Sequence, residues 1–140
     1  MFLFLAAPLW AQAAEEKPQI FYVQLIRGSN DEKPPEAKAK PVGPKLSQIL
    51  TPVWRWKHYW EVSQHEVKVT PGKVTKLPLK VRDLELQLLP EEQLESRLFE
   101  KGKLVRTSRQ KVDLARPVVM GGSPNDNNAW FVVVRKDKPQ

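Results

Sequence analysis

The 140-residue chain contains no cysteine, which removes two structural devices. No disulfide framework can staple the fold, although small exported proteins often use one. No thiol can carry a lipid after an N-terminal apolar segment, so the sequence predicts a protein that is not lipid-anchored. A hydrophobic core must therefore hold the fold together, and a chain of this length can bury one.

The sequence also lacks an apolar run long enough to cross a membrane. The apolar stretch at residues 1–10 falls well short of the roughly 20 residues that a membrane-spanning helix needs. An alanine-rich step follows at residues 11–14, and charged residues come directly after it. This order is typical of a secretory signal peptide and its cleavage site, although no Lys or Arg precedes the apolar run. We expect a signal peptide at 1–14, a mature N-terminus at 15–18, and a mature chain without a transmembrane segment that is periplasmic or secreted.

Residues for metal binding and catalysis are scarce. The only histidines, His58 and His65, are seven positions apart, so a regular strand places them on opposite faces and does not bring them to one zinc ion. No Gly-x-Ser-x-Gly motif or phosphate-binding glycine loop occurs. The segment at residues 121–128 lacks the spacing of a calcium loop. We predict a non-enzymatic protein with no catalytic residue, metal or cofactor, and keep a small hydrolase as a remote alternative.

Thirteen prolines against six glycines predict short elements, because proline cannot donate to a ladder or continue a helix. Residues 28–43 are polar and proline-rich, which favours a flexible loop. Residues 44–50 carry apolar side chains at helical spacing, with Pro44 at the first position, so they predict one short helix. Pro52 disfavours helix at the residue before it, and we expect the helix to end near Thr51.

Most of the remaining chain alternates apolar and polar residues with the period of a β-strand. Six to eight short strands are predicted, within residues 19–27, 53–62, 66–70, 73–81, 84–88, 93–99, 103–111 and 129–134, and residues 117–122 form a short apolar run. A hairpin around Lys101-Gly102 is preferred to a helix over 91–99. The apolar stretch 129–134 predicts a central strand covered on both faces. Together these segments predict one all-β domain over 19–140, a small antiparallel β-sandwich or partly open barrel with one short helix.

The net charge of +7 is unevenly distributed. Most charged residues in segments 43–82 and 101–140 are basic, whereas residues 83–100 include six acidic residues and one basic residue. Part of the acidic block is expected to face the basic segments, so less than the full charge is available to outside partners. The remaining positive charge favours contact with an anionic glycan or a membrane surface. Nucleic acid is an unlikely partner of an exported chain.

The most distinctive stretch runs from Trp54 to Trp60 and interleaves aromatic rings with cations. Rings that stack on flat ligands and cations that neutralise charge are typical of surfaces for sugars or anionic polymers. On one strand, however, the three tryptophans would share a face, as the core of a sandwich requires, with the intervening residues solvated. Both interpretations stay open, and core packing is preferred. The candidate binding residues are Trp54, Arg55, Trp56, Lys57, Tyr59 and Trp60.

The layout from Leu50 to Arg135 resembles uncharacterised small exported bacterial β-rich domains. The resemblance depends on the aromatic stretch at 54–60, the Val69-Thr-Pro-Gly72 turn, the Met120-Gly-Gly122 step and the strand at 130–134. It implies export and a β fold, and transfers no functional residue. The function expected is that of an accessory protein of the bacterial cell envelope that binds another envelope protein. A carbohydrate- or anionic-polymer-binding module using residues 54–60 is the alternative.

Overall fold

A computed structural model describes residues 17–54, 56–80, 82–121 and 128–139. Within these ranges the chain is mostly β-structure, with two antiparallel sheets and one short α-helix, which confirms the predicted all-β class. The elements are β1 (Gln19–Ser29), β2 (Lys40–Pro41), α1 (Pro44–Trp54), β3 (His58–Val69), β4 (Thr75–Leu79), β5 (Arg82–Leu89), a 3-10 turn (Pro90–Glu92), β6 (Gln93–Glu100), β7 (Lys103–Lys111), β8 (Val118–Gly121) and β9 (Asn128–Arg135). No helix in the described ranges is both long and apolar enough to pass through a membrane.

The described strands form a five-stranded sheet with the order β2-β3-β1-β9-β8 and a four-stranded sheet with the order β4-β5-β6-β7. The chain divides into two compact units, one holding residues 68–111 and the other residues 21–67 and 112–140. Most of the five-stranded sheet and the helix belong to the second unit, and β4 to β7 belong to the first. The single-domain boundary predicted for residues 19–140 stays a prediction.

The centre of the five-stranded sheet is the antiparallel pair β1 and β9, which runs in register from Tyr22 opposite Arg135 to Ser29 opposite Asn128. All residues of β9 from Ala129 to Arg135 are buried. Because successive side chains of a strand point to opposite faces, β9 is covered on both faces. The predicted doubly covered strand is therefore confirmed.

Helix α1 lies on one face of this sheet. Its buried residues Leu46 and Leu50 belong to a core cluster with Ile26, Phe131 and Val133 of the sheet. The expected helix end near Thr51 is wrong, because the helix passes through Pro52 and ends at Trp54. Pro52 lacks the N–H that would bond to the preceding turn. We attribute the extension to Trp54, whose ring contacts Phe131.

The four-stranded sheet is built from consecutive hairpins with one buried face. The buried side chains alternate along the two central strands and are Leu84, Leu86, Leu88, Leu94, Ser96 and Leu98. Glu100 pairs with Lys103, so the predicted hairpin is confirmed and its turn is the two residues Lys101-Gly102. Both turn residues have positive φ, at 51° and 79°, as the twist of a two-residue hairpin turn requires. The competing helix over 91–99 is excluded.

One connection is shorter than expected. The proline-rich segment was predicted to be a loop from 28 to 43, but β1 continues through Ser29 and β2 pairs Lys40 and Pro41 with β3. The connection therefore covers residues 30–39. The segment at residues 121–128, which lacks the spacing of a calcium loop, falls mostly outside the described residues, which omit 122–127.

Candidate functional site

The aromatic stretch at residues 54–60 is not one strand. Trp54 is the last residue of α1, Trp56 and Lys57 connect the helix to the sheet, and β3 begins only at His58. The expected arrangement, with three tryptophans on one strand face, is therefore wrong. The extension of the helix to Trp54 is the physical reason. Arg55, one of the candidate binding residues, lies outside the described residues.

The rings of Trp54 and Trp56 both pack against the core of the five-stranded sheet. Trp54 meets Phe131 edge to face, with ring centroids 4.9 Å apart. Trp56 lies against Gly28 of β1, where a Cβ atom would come within 2.7 Å of the indole Cδ1 atom. Gly28 is thus a position where glycine lets a ring approach the backbone. Both tryptophans serve core packing, as the preferred interpretation expects.

Tyr59 is also part of this core, although it was expected on a solvated face. Its hydroxyl accepts a hydrogen bond from the Trp56 amide at 3.0 Å and donates one to the Leu50 carbonyl at 3.4 Å. Burial raises the pKa of the Tyr59 hydroxyl, against the effect of its hydrogen bonds. Tyr59 thereby connects the end of α1 to the start of β3 by hydrogen bonds. Glu61, expected on the same solvated face, is buried as well.

The structure brings three of the six candidate binding residues to one cleft beside β2. Lys57, Tyr59 and Trp60 line it together with His58, and its volume is about 160 Å³. Trp60 is only 8% exposed, so its ring offers no flat face to a ligand. Ligand sites for small molecules usually span about 300–1,000 Å³. The cleft is therefore too small, and its aromatic wall too covered, to stack a sugar ring.

A buried polar network in the five-stranded sheet was missed by the sequence analysis. Gln24 of β1 donates to Glu61 of β3 at 2.6 Å and accepts from Arg135 of β9 at 3.2 Å. Arg135 also donates to both carboxylate oxygens of Asp137, at 3.0 and 2.8 Å, and Lys45 of α1 donates to the same carboxylate at 2.7 Å. The network joins three adjacent strands and the helix.

The charges of this network are mutually satisfied. The hydrogen bonds from Arg135 and Lys45 hold the pKa of the Asp137 carboxyl well below its ordinary value, although partial burial opposes them. A cavity of about 180 Å³ opens beside Arg135, Lys45 and Asp137 at the start of α1. Each of these three side chains already has a charged partner within the protein. We therefore interpret the network as an interaction that stabilises the fold. The feature of the sequence that could have predicted this network is Gln24, an isolated polar residue within an apolar strand.

The four-stranded sheet has one face that stays half-buried or exposed. Pro78, Asp83, Phe99 and Leu104 occupy one row across its four strands. The first three of these residues line a groove of about 460 Å³ that ends at the Gly102 turn. The next rows are polar, and Arg97 and Arg109 pair there with acidic side chains of β5 and β6. The row that contains Phe99 and Leu104 therefore lies beside a ladder of ion pairs.

The outer edge of this sheet is β7. Within the described residues it is the longest edge strand: β7 has nine residues, β4 has five and contains Pro78, β8 has four and β2 has two. Residues 101–112 contain five cations and no acidic residue. Leu104 is 53% exposed and Arg109 has a 58% exposed side chain. We call this surface the β7 edge (Lys103–Lys111).

Histidines and carboxylates do not converge in the described part of the chain. No group of three or more His, Cys, Asp or Glu side chains there is placed to hold a metal ion. His58 and His65 both lie in β3, at the start and past the middle of the strand. The His58 ring contacts the Trp60 ring, with centroids 5.9 Å apart.

Comparisons with protein-family models, with curated proteins and with solved structures found no match.

Proposed function

We propose that this protein is a non-enzymatic, exported accessory protein of the bacterial cell envelope that binds another protein through the β7 edge. The observation that carries the proposal is a nine-residue strand at the end of the sheet order, rich in cations and with six of its nine residues exposed. An edge strand presents a row of backbone N–H and C=O groups to any partner. The export part depends on residues 1–14, which have the pattern of a signal peptide.

A protein partner suits this edge better than a glycan or a lipid surface. Cations alone attract any anionic surface, but the backbone of β7 also offers alternating donors and acceptors, which another strand satisfies fully. The exposed Leu104 side chain adds apolar contact area next to Phe99. The apolar groove beside Pro78 and Phe99 continues that area across the sheet.

Carbohydrate or anionic-polymer binding through residues 54–60 is the weaker alternative. It requires exposed rings, whereas Trp54 and Trp56 face the core and Trp60 is buried. Tryptophan fluorescence tests it directly, since buried rings emit at short wavelength and are not quenched by added glycan. Quenching by glycan and its loss on replacing Lys57 would favour this alternative. A small hydrolase stays a remote third possibility, tested by any activity that disappears when His58 and His65 are both replaced.

The first experiment is a crosslinked pull-down of the tagged mature protein from its own cell envelope, at low and high salt. Recovery of one protein in comparable amount at both salts is the expected result. The double variant Arg106→Glu/Lys111→Glu reverses two charges on the β7 edge and should lose that protein. The matched control Lys33→Glu/Lys38→Glu makes the same charge change at exposed positions of the 30–39 connection and should retain it.

Two outcomes would contradict the proposal. Recovery of glycan or lipid alone, lost at high salt, would indicate a surface held by charge, because salt screens exposed charges. Equal loss of the partner in both double variants would indicate that only net charge matters. The mass of the mature chain in the envelope fraction tests export separately, and a chain that begins at Glu15 is expected.

A further inference from the structure

We infer that the β7 edge receives an extended, acidic segment of the partner protein, which adds a fifth strand to the four-stranded sheet. This inference rests on the proposed function and names the chemistry of the partner. The reasons lie in the backbone of the edge, in the charges on its two faces and in the apolar residue at its start.

The backbone is the first reason. In an antiparallel pair, alternate residues direct their N–H and C=O groups toward the partner strand, and the residues between them direct theirs away. β7 pairs with β6 over its whole length, from Glu100 opposite Lys103 to Gln93 opposite Lys111. A bulge at Val105 interrupts this pairing, so the alternate backbone groups point out of the sheet without interruption from Arg106 to Lys111. The other edges in the described ranges offer fewer groups, and β4 also contains a proline without an N–H.

The cations of β7 are the second reason, and the strand register shows on which face of the sheet each one lies. Leu104, Thr107, Arg109 and Lys111 pair with residues of the half-buried β6 face, whereas Arg106 pairs with Leu98 of the buried face. Side chains of neighbouring strands that lie directly opposite each other interact, and opposite charges there are favourable. Arg109 already pairs with Glu95, so a partner strand carries acidic residues opposite Lys111 and Arg106. These two cations lie on different faces, and acidic residues therefore lie on both faces of the partner strand.

The start of the strand completes the pattern. Leu104 pairs with Phe99, so these two apolar side chains are neighbours on the same face of the sheet. A partner strand extends this pair by one position, and an apolar side chain fits beside Leu104. The predicted ligand is thus an extended segment with acidic residues along most of its length and an apolar residue at the end that meets Leu104.

A second copy of this chain does not satisfy the same edge. Two β7 strands laid side by side place cations next to cations, because residues 101–112 contain no acidic residue. Like charges directly opposite each other destabilise a strand pair, and cationic edges are a common protection against self-association. An acidic segment turns the same charges into favourable contacts.

The experiment uses the mature protein and short fluorescein-labelled peptides that carry Glu at most positions, on both faces of the extended chain, and Val at one end. Binding is followed by fluorescence anisotropy. Two further peptides carry backbone N-methyl groups, one on the odd residues and one on the even residues, with all charges kept. We expect the unmodified peptide to bind, and one of the two methylated peptides to bind about tenfold more weakly, since it loses several hydrogen bonds of about 0.5–1.5 kcal/mol each.

Two protein variants accompany the peptides. Arg106→Glu/Lys111→Glu should weaken the unmodified peptide, and Lys33→Glu/Lys38→Glu should leave it unchanged. Circular dichroism checks that both variants are folded, and the methylated peptides keep the test valid on the unaltered protein. No binding of the unmodified peptide would overturn the inference, and so would equal binding of all three peptides, which indicates charge attraction without strand pairing.

The outcomes separate this inference from the proposed function. If the envelope partner is lost with the β7 variant while the two methylated peptides bind equally, the accessory role stands and strand addition is wrong. If one methylated peptide binds weakly and no envelope protein is recovered, strand addition is supported and the accessory role is wrong.

Discussion

The two sheets differ in how far their faces are buried. In the five-stranded sheet, β9 is buried on both faces and its one charged residue, Arg135, is tied into a network with Gln24 and Asp137. In the four-stranded sheet, one face is buried and the other carries a ladder of ion pairs between partly exposed side chains such as Arg109 and Glu95.

This difference indicates that the five-stranded sheet mainly contributes stability and that the four-stranded sheet offers a surface for interaction. A strand buried on both faces has no surface to offer, and every side chain on it contributes to the core. A sheet with an open face and an open edge gives up part of that burial and retains groups that a partner can contact. We therefore expect substitutions in β9 to act on stability, and substitutions on β7 to act on binding.

The largest expected effect tests that contrast with two phenylalanines. Phe131→Ala removes a fully buried ring that contacts Trp54 and Tyr59, and should lower the free energy of unfolding by about 3–5 kcal/mol. Phe99→Ala removes a half-buried ring from the open face and should have a clearly smaller effect. Urea unfolding followed by circular dichroism measures both. Equal losses would contradict the contrast between the sheets.

The next effect compares two carboxylates. Asp137→Asn weakens the charged hydrogen bonds to Arg135 and Lys45 and should cost about 1.5–3 kcal/mol at neutral pH. Glu95→Gln weakens pairs with Arg97 and Arg109, whose side chains are 19% and 58% exposed, and should cost less, about 1 kcal/mol. Urea midpoints of the two variants against the unaltered protein give the comparison, which fails if Glu95→Gln is the more damaging substitution.

The pH dependence of the Asp137 effect has a definite sign. Its pKa in the folded protein is lowered from the ordinary 3.8, chiefly by the hydrogen bonds from Arg135. The carboxylate therefore contributes its full stabilisation above about pH 4 and loses it as the pH falls toward the lowered folded pKa. The stability difference between the protein and Asp137→Asn should be constant near neutral pH and shrink in acid. A difference that grows in acid would show that the sign is wrong.

A smaller effect is expected at the closest approach of a ring to the backbone. Gly28→Ala places a methyl group 2.7 Å from the Trp56 ring, so the ring must move, at a cost of about 1–3 kcal/mol. Replacing Trp56 by Leu in the same chain removes the atom that clashes. The combined variant should lose less than the sum of the two single variants. Additive losses in urea unfolding would mean that Trp56 is not the obstacle.

The sequence was informative where one physical rule acted alone. The apolar run 129–134 predicted a strand covered on both faces, and the Lys101-Gly102 pair predicted a hairpin, because periodicity and turn chemistry decide such features locally. Pro78 lies in the edge strand β4, a position that the missing N–H of proline favours.

Prediction failed where tertiary contacts outweighed local preference. Proline at position 52 argued for a helix end near Thr51, but the helix runs to Trp54, which packs on Phe131. That shift moved Trp54 off the strand and disproved the shared aromatic face. The β7 edge was equally hidden, because a strand pattern does not tell an edge from a centre. Its sheet position had to come from the strand order.

The smallest expected effect lies in the β6–β7 turn, where a surface change should strengthen the open sheet. Lys101 adopts a left-handed backbone conformation with φ of 51°, which is unfavourable for a residue with a long side chain. Asn tolerates this conformation and precedes Gly in the preferred two-residue hairpin turn. Lys101→Asn should therefore raise the free energy of unfolding by up to about 1 kcal/mol, seen as a higher urea midpoint with an unchanged slope. Gly102→Ala, at φ of 79°, is the opposite control and should lower the midpoint. If Lys101→Asn lowers the midpoint, the lysine side chain makes a stabilising contact that outweighs its backbone strain, and the turn is not the weak point of this sheet.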